Sequence, residues 1–304
     1  MKSGYENVLT LVATTPHPPL EVQQIRQVRD ALGVPTEEPQ WLTPGVAADV
    51  YFGDISCDSA RDRAELALAG CAVDVLAQPR AMRRKKLLLA DMDSTMIEQE
   101  CLDELADAVG LKAETAAITE RAMRGELDFA TALRERVSQL RGLDAAALEA
   151  TLPRLTFTPG GKNLIQTMRA HGAVCHLVSG GFRFFTRYVA TALGFDGEHG
   201  NRLLMANGQL TGGVEEPILD QHAKLAVLKH MQAQLGIEAA HTLAVGDGAN
   251  DVPMLQAAGL GVAFHAKPKV NALAAARVRY SDLTALLYAQ GYRPAEHVHH
   301  ADIT

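Results

Sequence analysis

Long apolar runs are missing from this chain of 304 residues. None approaches the ~18 apolar residues that a membrane-spanning helix requires, so no bilayer partner is expected. Near the N-terminus the mostly apolar stretch Val8–Ala13 follows Glu6 and lacks a basic flank, which argues against a secretory signal. Cysteine is scarce. Cys57, Cys71, Cys101 and Cys175 lie far apart with no Cys-x-x-Cys among them, so neither a disulfide framework nor a zinc site is indicated. An excess of basic residues is also missing: 29 Lys and Arg stand against 36 Asp and Glu, a formal charge of −7. That balance argues against nucleic acid as the main partner. What is there is ordinary for a globular protein, with 47% apolar and 21% charged residues. A soluble, cytoplasmic protein is expected, and at ~150 residues per domain the length predicts about two domains.

Residues 1–80 carry short apolar runs separated by helical stretches. Strands are predicted at Val8–Ala13, Gln40–Leu42, Ala47–Phe52 and Ala72–Ala77, with helices at Leu20–Leu32 and Ser59–Ala69. That βαββαβ order is the ferredoxin-like plan. The run Arg80–Lys86 holds five cations in seven residues, and in an acidic chain it reads as a solvated linker, not a nucleic-acid patch. From Leu87 the pattern changes. Leu87–Ala90, Ala173–Val178, Thr242–Val245 and Gly261–Phe264 are apolar without polar alternation, as in strands covered on both faces. Helices are predicted between and after them, at Glu98–Val109, Thr115–Met123, Asp128–Leu140, Gly160–His171, Phe182–Leu193, His222–Leu235, Asn250–Ala258 and Pro268–Ala276. The alternation predicts an α/β fold with a doubly wound parallel sheet. Asn207-Gly208 signals a two-residue antiparallel hairpin decorating it. Roughly 60 strandless residues between Glu98 and Pro159 read as an inserted helical cap. The expected division is 1–80 and 81–304, the latter with core 81–98 and 160–291 and a cap of about 99–159.

Polar clusters stand at three strand ends. The first strand runs into Asp91-Met-Asp93-Ser-Thr95, the second into Ser179-Gly180-Gly181, and a third into Gly246-Asp247-Gly-Ala-Asn250-Asp251. Ligands of open parallel sheets bind outside the carboxyl ends of the strands, so the three clusters converge on one crevice. Asp91, Asp93, Asp247 and Asp251 would repel one another there unless a cation held them, and hard oxygen ligands at low count indicate Mg²⁺. Asp-x-Asp alone is as often a cap or turn, and Gly-Asp-Gly a turn. No Gly and Glu stand where a calcium loop needs them, and Thr158–Asn163 lacks the phosphate-loop pattern. Three clusters in order, each closing an apolar strand, are harder to set aside than any one. His297, His299 and His300 are expected in a frayed C-terminus.

DMDST, SGG, a following lysine and GDGAND together resemble the haloacid dehalogenase superfamily of aspartate-nucleophile phosphotransferases. EQECLDELA, the run Arg121–Val137, NRL and AKP narrow the resemblance to its phosphoserine phosphatases, across roughly Lys85 to Tyr288. The resemblance implies hydrolysis of O-phospho-L-serine, the last step of serine biosynthesis. Asp91 would be the nucleophile forming an aspartyl phosphate, and Asp93 the acid and then the base. Mg²⁺ would be held by the Asp91 side chain, the Asp93 carbonyl and Asp247. Lys224, Ser179 and the Gly180 N–H would bind the phosphoryl group, with Asn250 and Asp251 supporting the metal, its waters and Lys224. By its own helix alone, Lys224 is a solvated residue. From the cap, Glu100 would meet the substrate ammonium and Arg136 its carboxylate, while Met123 and Phe129 would close over it. Related members carry an ACT-like N-terminal domain, which implies amino-acid binding or homodimer formation through residues 1–80. The alternatives are a phosphatase or phosphotransferase acting on phosphohomoserine or phosphothreonine, and an amino-acid sensor.

Overall fold

The computed structural model describes residues 4–123 and 126–298. Its N-terminal unit runs β1 (Asn7–Val12), α1 (Val22–Leu32), β2 (Gln40–Thr43), β3 (Ala47–Phe52), α2 (Cys57–Ala67) and β4 (Asp74–Pro79). These strands form an antiparallel sheet in the order β2-β3-β1-β4, with Leu9 opposite Val50 and Ala77. That is the ferredoxin-like arrangement. Helix α1 starts at a Glu21/Gln24 capping box and stops at Gly33, whose φ of +64° a side chain would strain. Ile25, Val28 and Leu32 on α1 and Ala60 and Ala64 on α2 pack on one sheet face, giving this unit its own core.

The second unit begins with β5 (Leu87–Ala90) and enters the cap: α3 (Cys101–Ala108), α4 (Lys112–Met123), α5 (Phe129–Ser138) and α6 (Ala146–Thr151). It returns through α7 (Gly161–Ala170), β6 (Val174–Phe182), α8 (Arg183–Leu193) and β7 (Gly197–Asn201). A hairpin of β8 (Leu203–Ala206) and β9 (Gln209–Val214) follows, then α9 (Gln221–Leu235) and β10 (Thr242–Gly246). The last elements are α10 (Val252–Ala257), β11 (Leu260–Phe264), α11 (Pro268–Asn271), β12 (Ala276–Val278) and α12 (Ala285–Ala289). Six strands pair in parallel in the order β12-β11-β10-β5-β6-β7. The order reverses direction at β5, which puts the ends of β5, β6 and β10 side by side.

Several expectations change. The predicted helix Pro268–Ala276 is only α11, and Ala276–Val278 is instead the edge strand β12, whose three residues are too few to give a strand pattern. Strand β7, Gly-Glu-His-Gly-Asn, is polar and carries no apolar signal at all. The hairpin, turned by left-handed Asn207 and Gly208, does not sit on the main sheet. It pairs with the cap instead, where Gly142 N–H bonds Leu210 O and Ala145 N–H bonds Gly208 O.

The expected solvated linker is a clamp. Arg83 makes two bonds to buried Asp49, at 2.7 and 3.0 Å, and others to Thr10 Oγ1 and the Ala289 carbonyl. Lys85 donates to Ala240 O, while Arg80 and Arg84 cover the rings of Tyr51 and Tyr292. The reason lies on the other side of the N-terminal sheet. Its second face, with Val12, Leu42, Ala47 and Leu76, belongs to the same apolar cluster as Leu286, Leu287 and Tyr288. Asp74, wholly buried, accepts the backbone N–H groups of Arg279, Tyr280 and Ser281. The two units are thus packed together through the segment 276–292. The chain also stays packed as far as Val298, whose N–H bonds Thr167 Oγ1, with the His297 ring against Tyr288, so the fraying expected at His297 does not occur. His299 and His300 lie outside the described residues.

Candidate active site

Strands β5 and β10 end in polar clusters aimed into one crevice, and Ser179–Gly181 join them from within β6, where its pairing with β7 shifts register between Val178 and Phe182. The Asp91 N–H bonds Val245 O, continuing the β5–β10 ladder by one residue before the chain turns. The turn is tight: the N–H groups of Thr95, Met96 and Ile97 all reach Met92 O, and Ser94 adopts a φ of +54°. It lets both carboxylates face the crevice while Met92 is buried beneath them. Helix α9 is capped by Asp220, which accepts the N–H groups of His222 and Ala223 and fixes the first turn. That turn delivers Lys224, which is fully buried, contrary to the reading of its helix alone.

Lys224 Nζ lies 2.7 Å from Asp91 Oδ1 and 2.6 Å from Asp251 Oδ1. Asp251 Oδ2 also accepts the Gly248 N–H, and its carboxyl lies so close over Gly246 that no side chain fits there. Asp91, Asp247 and Asp251 can bring one oxygen each within 4.8 Å of one another, while Asp247 also accepts a bond from Thr95. The Asp93 carboxylate faces the same crevice with other partners: Oδ1 accepts the Cys101 N–H at 2.9 Å and Oδ2 the Ser179 hydroxyl at 3.2 Å. Asn250 Oδ1 lies against Gly248, beside the carboxylates.

Three acids share this small volume with one lysine. Burial, then the charge of Asp251, raises the Asp91 carboxyl well above the ordinary range, with Lys224 opposing. The same two causes push Asp247 up to about 6. Burial raises Asp93 as well, against the bonds from Cys101 and Ser179. For Lys224, burial alone would lower the ammonium, but Asp91 and Asp251 outweigh it and hold the proton firmly. The uncompensated negative charge and the hard oxygen donors fit a divalent cation.

The cap closes over the crevice. Phe129, at the start of α5, lies over Gly180, where an added Cβ would stand 2.7 Å from its Cζ. Glu100 bonds Ser94 Oγ at 2.8 Å, and although it reaches solvent, burial at longer range, ahead of the Asp93 charge, pushes its carboxyl up to about 7. Arg136 bonds Asp103 at 2.6 Å, while its buried Nε has no partner among the described residues. An orphaned guanidinium donor costs free energy unless an acceptor arrives. The side chain of Met123 lies outside the described residues. Two participants were not singled out from the sequence. The Cys101 N–H binds Asp93 by backbone, which no residue type betrays, and Asn201 stood only as part of the Asn-Arg-Leu match.

A doubly wound sheet with nucleophile-type aspartates, a buried lysine and a helical cap at its strand ends defines a class of phosphoryl-transfer hydrolase. The chain belongs to the haloacid dehalogenase-like hydrolases, whose family model matches residues 88–256. Within that class, a probable phosphoserine phosphatase of Schizosaccharomyces pombe is 43% identical over 210 residues, 68% of this chain and 70% of that protein. The phosphoserine phosphatase of Haemophilus influenzae is 44% identical over 201 residues, 66% of this chain and 64% of that protein. The chain thus spans about two thirds of the length of these relatives. A crystal structure of a probable phosphoserine phosphatase from Vibrio cholerae aligns with a TM-score of 0.78 and 31% identity, covering 96% of this chain and 88% of that one.

Proposed function

We propose that this protein is a Mg²⁺-dependent phosphatase that hydrolyses O-phospho-L-serine to L-serine and phosphate, completing serine biosynthesis in the cytoplasm. The observation that carries the reading is the buried Asp91–Lys224–Asp251 constellation, with Asp93 held apart from it on its own pair of donors. The phosphoserine phosphatases among its relatives favour the substrate, and so do opposite charges on the cap, Glu100 for an ammonium and Arg136 for a carboxylate. The four free cysteines suit a reducing compartment. Residues 1–80 would form an ACT-like domain and 81–304 the phosphatase. A homodimer through the first domain would have to use its helices or edges, because the second sheet face is already covered.

In the mechanism, the Asp91 carboxylate attacks phosphorus in line, the bond to the serine oxygen breaks, and Asp93 gives that oxygen a proton. The products of this half are L-serine and phosphorylated Asp91. Asp93, now ionised, takes a proton from water as it attacks the same phosphorus and frees the Asp91 carboxylate. Lys224 and the hydroxyl of Ser179 neutralise and orient the phosphoryl oxygens, together with the Gly180 N–H. Asp91, Asp247 and the Asp93 carbonyl would hold Mg²⁺, with Asn250 and Asp251 in support, and the bound ion would supply the charge that offsets repulsion between carboxylate and phosphate. Phe129, Glu100 and Arg136 select the substrate and exclude bulk water. The test is phosphate release from phosphoserine, phosphothreonine and phosphohomoserine, with and without Mg²⁺. A clear preference for phosphoserine that requires the metal is expected, and equal rates on all three would sink the substrate assignment.

A further inference from the structure

Asn201 closes β7 at the edge of the main sheet, yet its side chain is almost wholly buried and spent on backbone groups. Nδ2 donates to the Gly180 carbonyl at 2.8 Å and to the Leu219 carbonyl at 3.3 Å, while Oδ1 accepts the Leu219 N–H at 2.7 Å. The Gly180 carbonyl and the Gly181 N–H belong to one planar peptide unit. That N–H donates to Ser179 Oγ at 2.8 Å, and Ser179 donates to Asp93 Oδ2 at 3.2 Å. A continuous chain therefore runs from Asn201, through one rigid plane and one hydroxyl, to the proposed acid and base. Flanked by two glycines, the plane has no side chain of its own to stop it turning. On its other side Asn201 holds Leu219, directly before Asp220, which caps the helix bearing Lys224.

We infer that Asn201 is a positioning residue of the reaction, fixing the Gly180–Gly181 peptide so that Ser179 holds the Asp93 carboxyl where it meets the departing serine oxygen. The inference rests on the phosphatase reading above. Bonds in such a chain polarise one another, so the amide also strengthens the donors that orient Asp93. Asn201→Asp separates this role from plain structure. It keeps the shape and the acceptor for Leu219 but turns an acceptor toward the Gly180 carbonyl.

The readout is kcat/KM on two leaving groups, because only a poor one needs a proton from Asp93. For O-phospho-L-serine we expect a fall of about 30–100-fold, the cost of a misplaced acid. For p-nitrophenyl phosphate, whose leaving group needs no proton, we expect a fall of no more than about threefold. Equal falls on both substrates, or none on either, overturn the inference. Should Asn201→Asp fold poorly, Asn201→Ala is compared in the wild-type and Ser179→Ala backgrounds. With the chain already cut at Ser179, the second substitution should add less than about threefold on phosphoserine, and a fully multiplicative loss overturns the coupling. A wild type inactive on phosphoserine would overturn the substrate assignment instead, and the same contrast would then be read on whichever alkyl phosphate the protein hydrolyses.

Discussion

Arg83→Met tests how the two units are joined. The substitution removes a guanidinium that makes two bonds to Asp49 and others to Thr10 and Ala289, and it leaves Asp49, fully buried, without its counter-charge. Breaking a buried pair from one side costs about 3–5 kcal/mol, chiefly the price of the stranded charge. Asp49 keeps bonds from Thr10 Oγ1 and Tyr51, and the Arg83 side chain is 12% exposed, so the lower end, about 3 kcal/mol, is expected. With an unfolding entropy of about 2.1 cal/mol/K per residue over 304 residues, this lowers Tm by roughly 5 °C. Urea and thermal unfolding followed by circular dichroism would measure it, and kcat at 25 °C should stay within about twofold, since the clamp lies away from the crevice. The double variant Asp49→Leu/Arg83→Met removes both charges and should recover to within about 1 kcal/mol of wild type. A single-variant loss below about 0.5 kcal/mol, or a double variant worse than the single, would refute a clamp made by charge burial.

The remaining predictions concern the site and one buried lysine. Asp91→Asn should lower kcat at least about 10³-fold with Tm unchanged or raised, since it removes both the nucleophile and one of three crowded carboxylates; wild-type-like turnover would end its assignment. EDTA should abolish phosphate release and added Mg²⁺ restore it, and activity that persists after exhaustive chelation and dialysis would exclude the proposed cofactor. Arg136→Ala should raise KM for phosphoserine by more than about tenfold while sparing phosphomonoesters that lack a carboxylate; an unchanged ratio of the two would count against its role. Burial, with Arg83 adding to it, lowers Lys85 to about 8, against about 10.4 in the unfolded chain. Between those values the unfolded state holds a proton that the folded state has released, so the cost of charging Lys85 is full below pH 8, fades as pH rises from 8 and is gone above about 10.4. The stability advantage of Lys85→Met over wild type should therefore shrink by about 1–3 kcal/mol from pH 7.5 to 10.5 in urea titrations, and a pH-independent difference would contradict it.

Periodicity marked β5, β6, β10 and β11 because each is an unbroken apolar run, and the strand ends marked Asp91, Ser179 and Asp247 because polar residues follow those runs directly. The same reasoning could not reach β7, whose Gly-Glu-His-Gly-Asn holds no apolar run, nor β12, which is too short to show a period. The Arg80–Lys86 run misled for a related reason. Charge alone reads as solvation, and only Asp49, some thirty positions earlier on a strand facing the second unit, reveals Arg83 as buried. At the site, residue types were legible but partnership was not: Lys224 looks like helix surface until the fold turns its first helical turn inward. Asn201 shows the same limit, since its three partners are backbone groups that the amino-acid string does not distinguish.

The packing of the first sheet against residues 276–292 has a consequence for synthesis. On the ribosome the first 80 residues emerge early and can close α1 and α2 over one face of their sheet. The other face, with Val12, Leu42, Ala47 and Leu76, must wait until more than 190 further residues have been made before its covering exists. During that interval the nascent chain carries an open apolar sheet and an Asp74 whose backbone donors, at Arg279, Tyr280 and Ser281, are not yet made, whereas Asp49 already has Arg83. Completion of the second unit is what finishes the first.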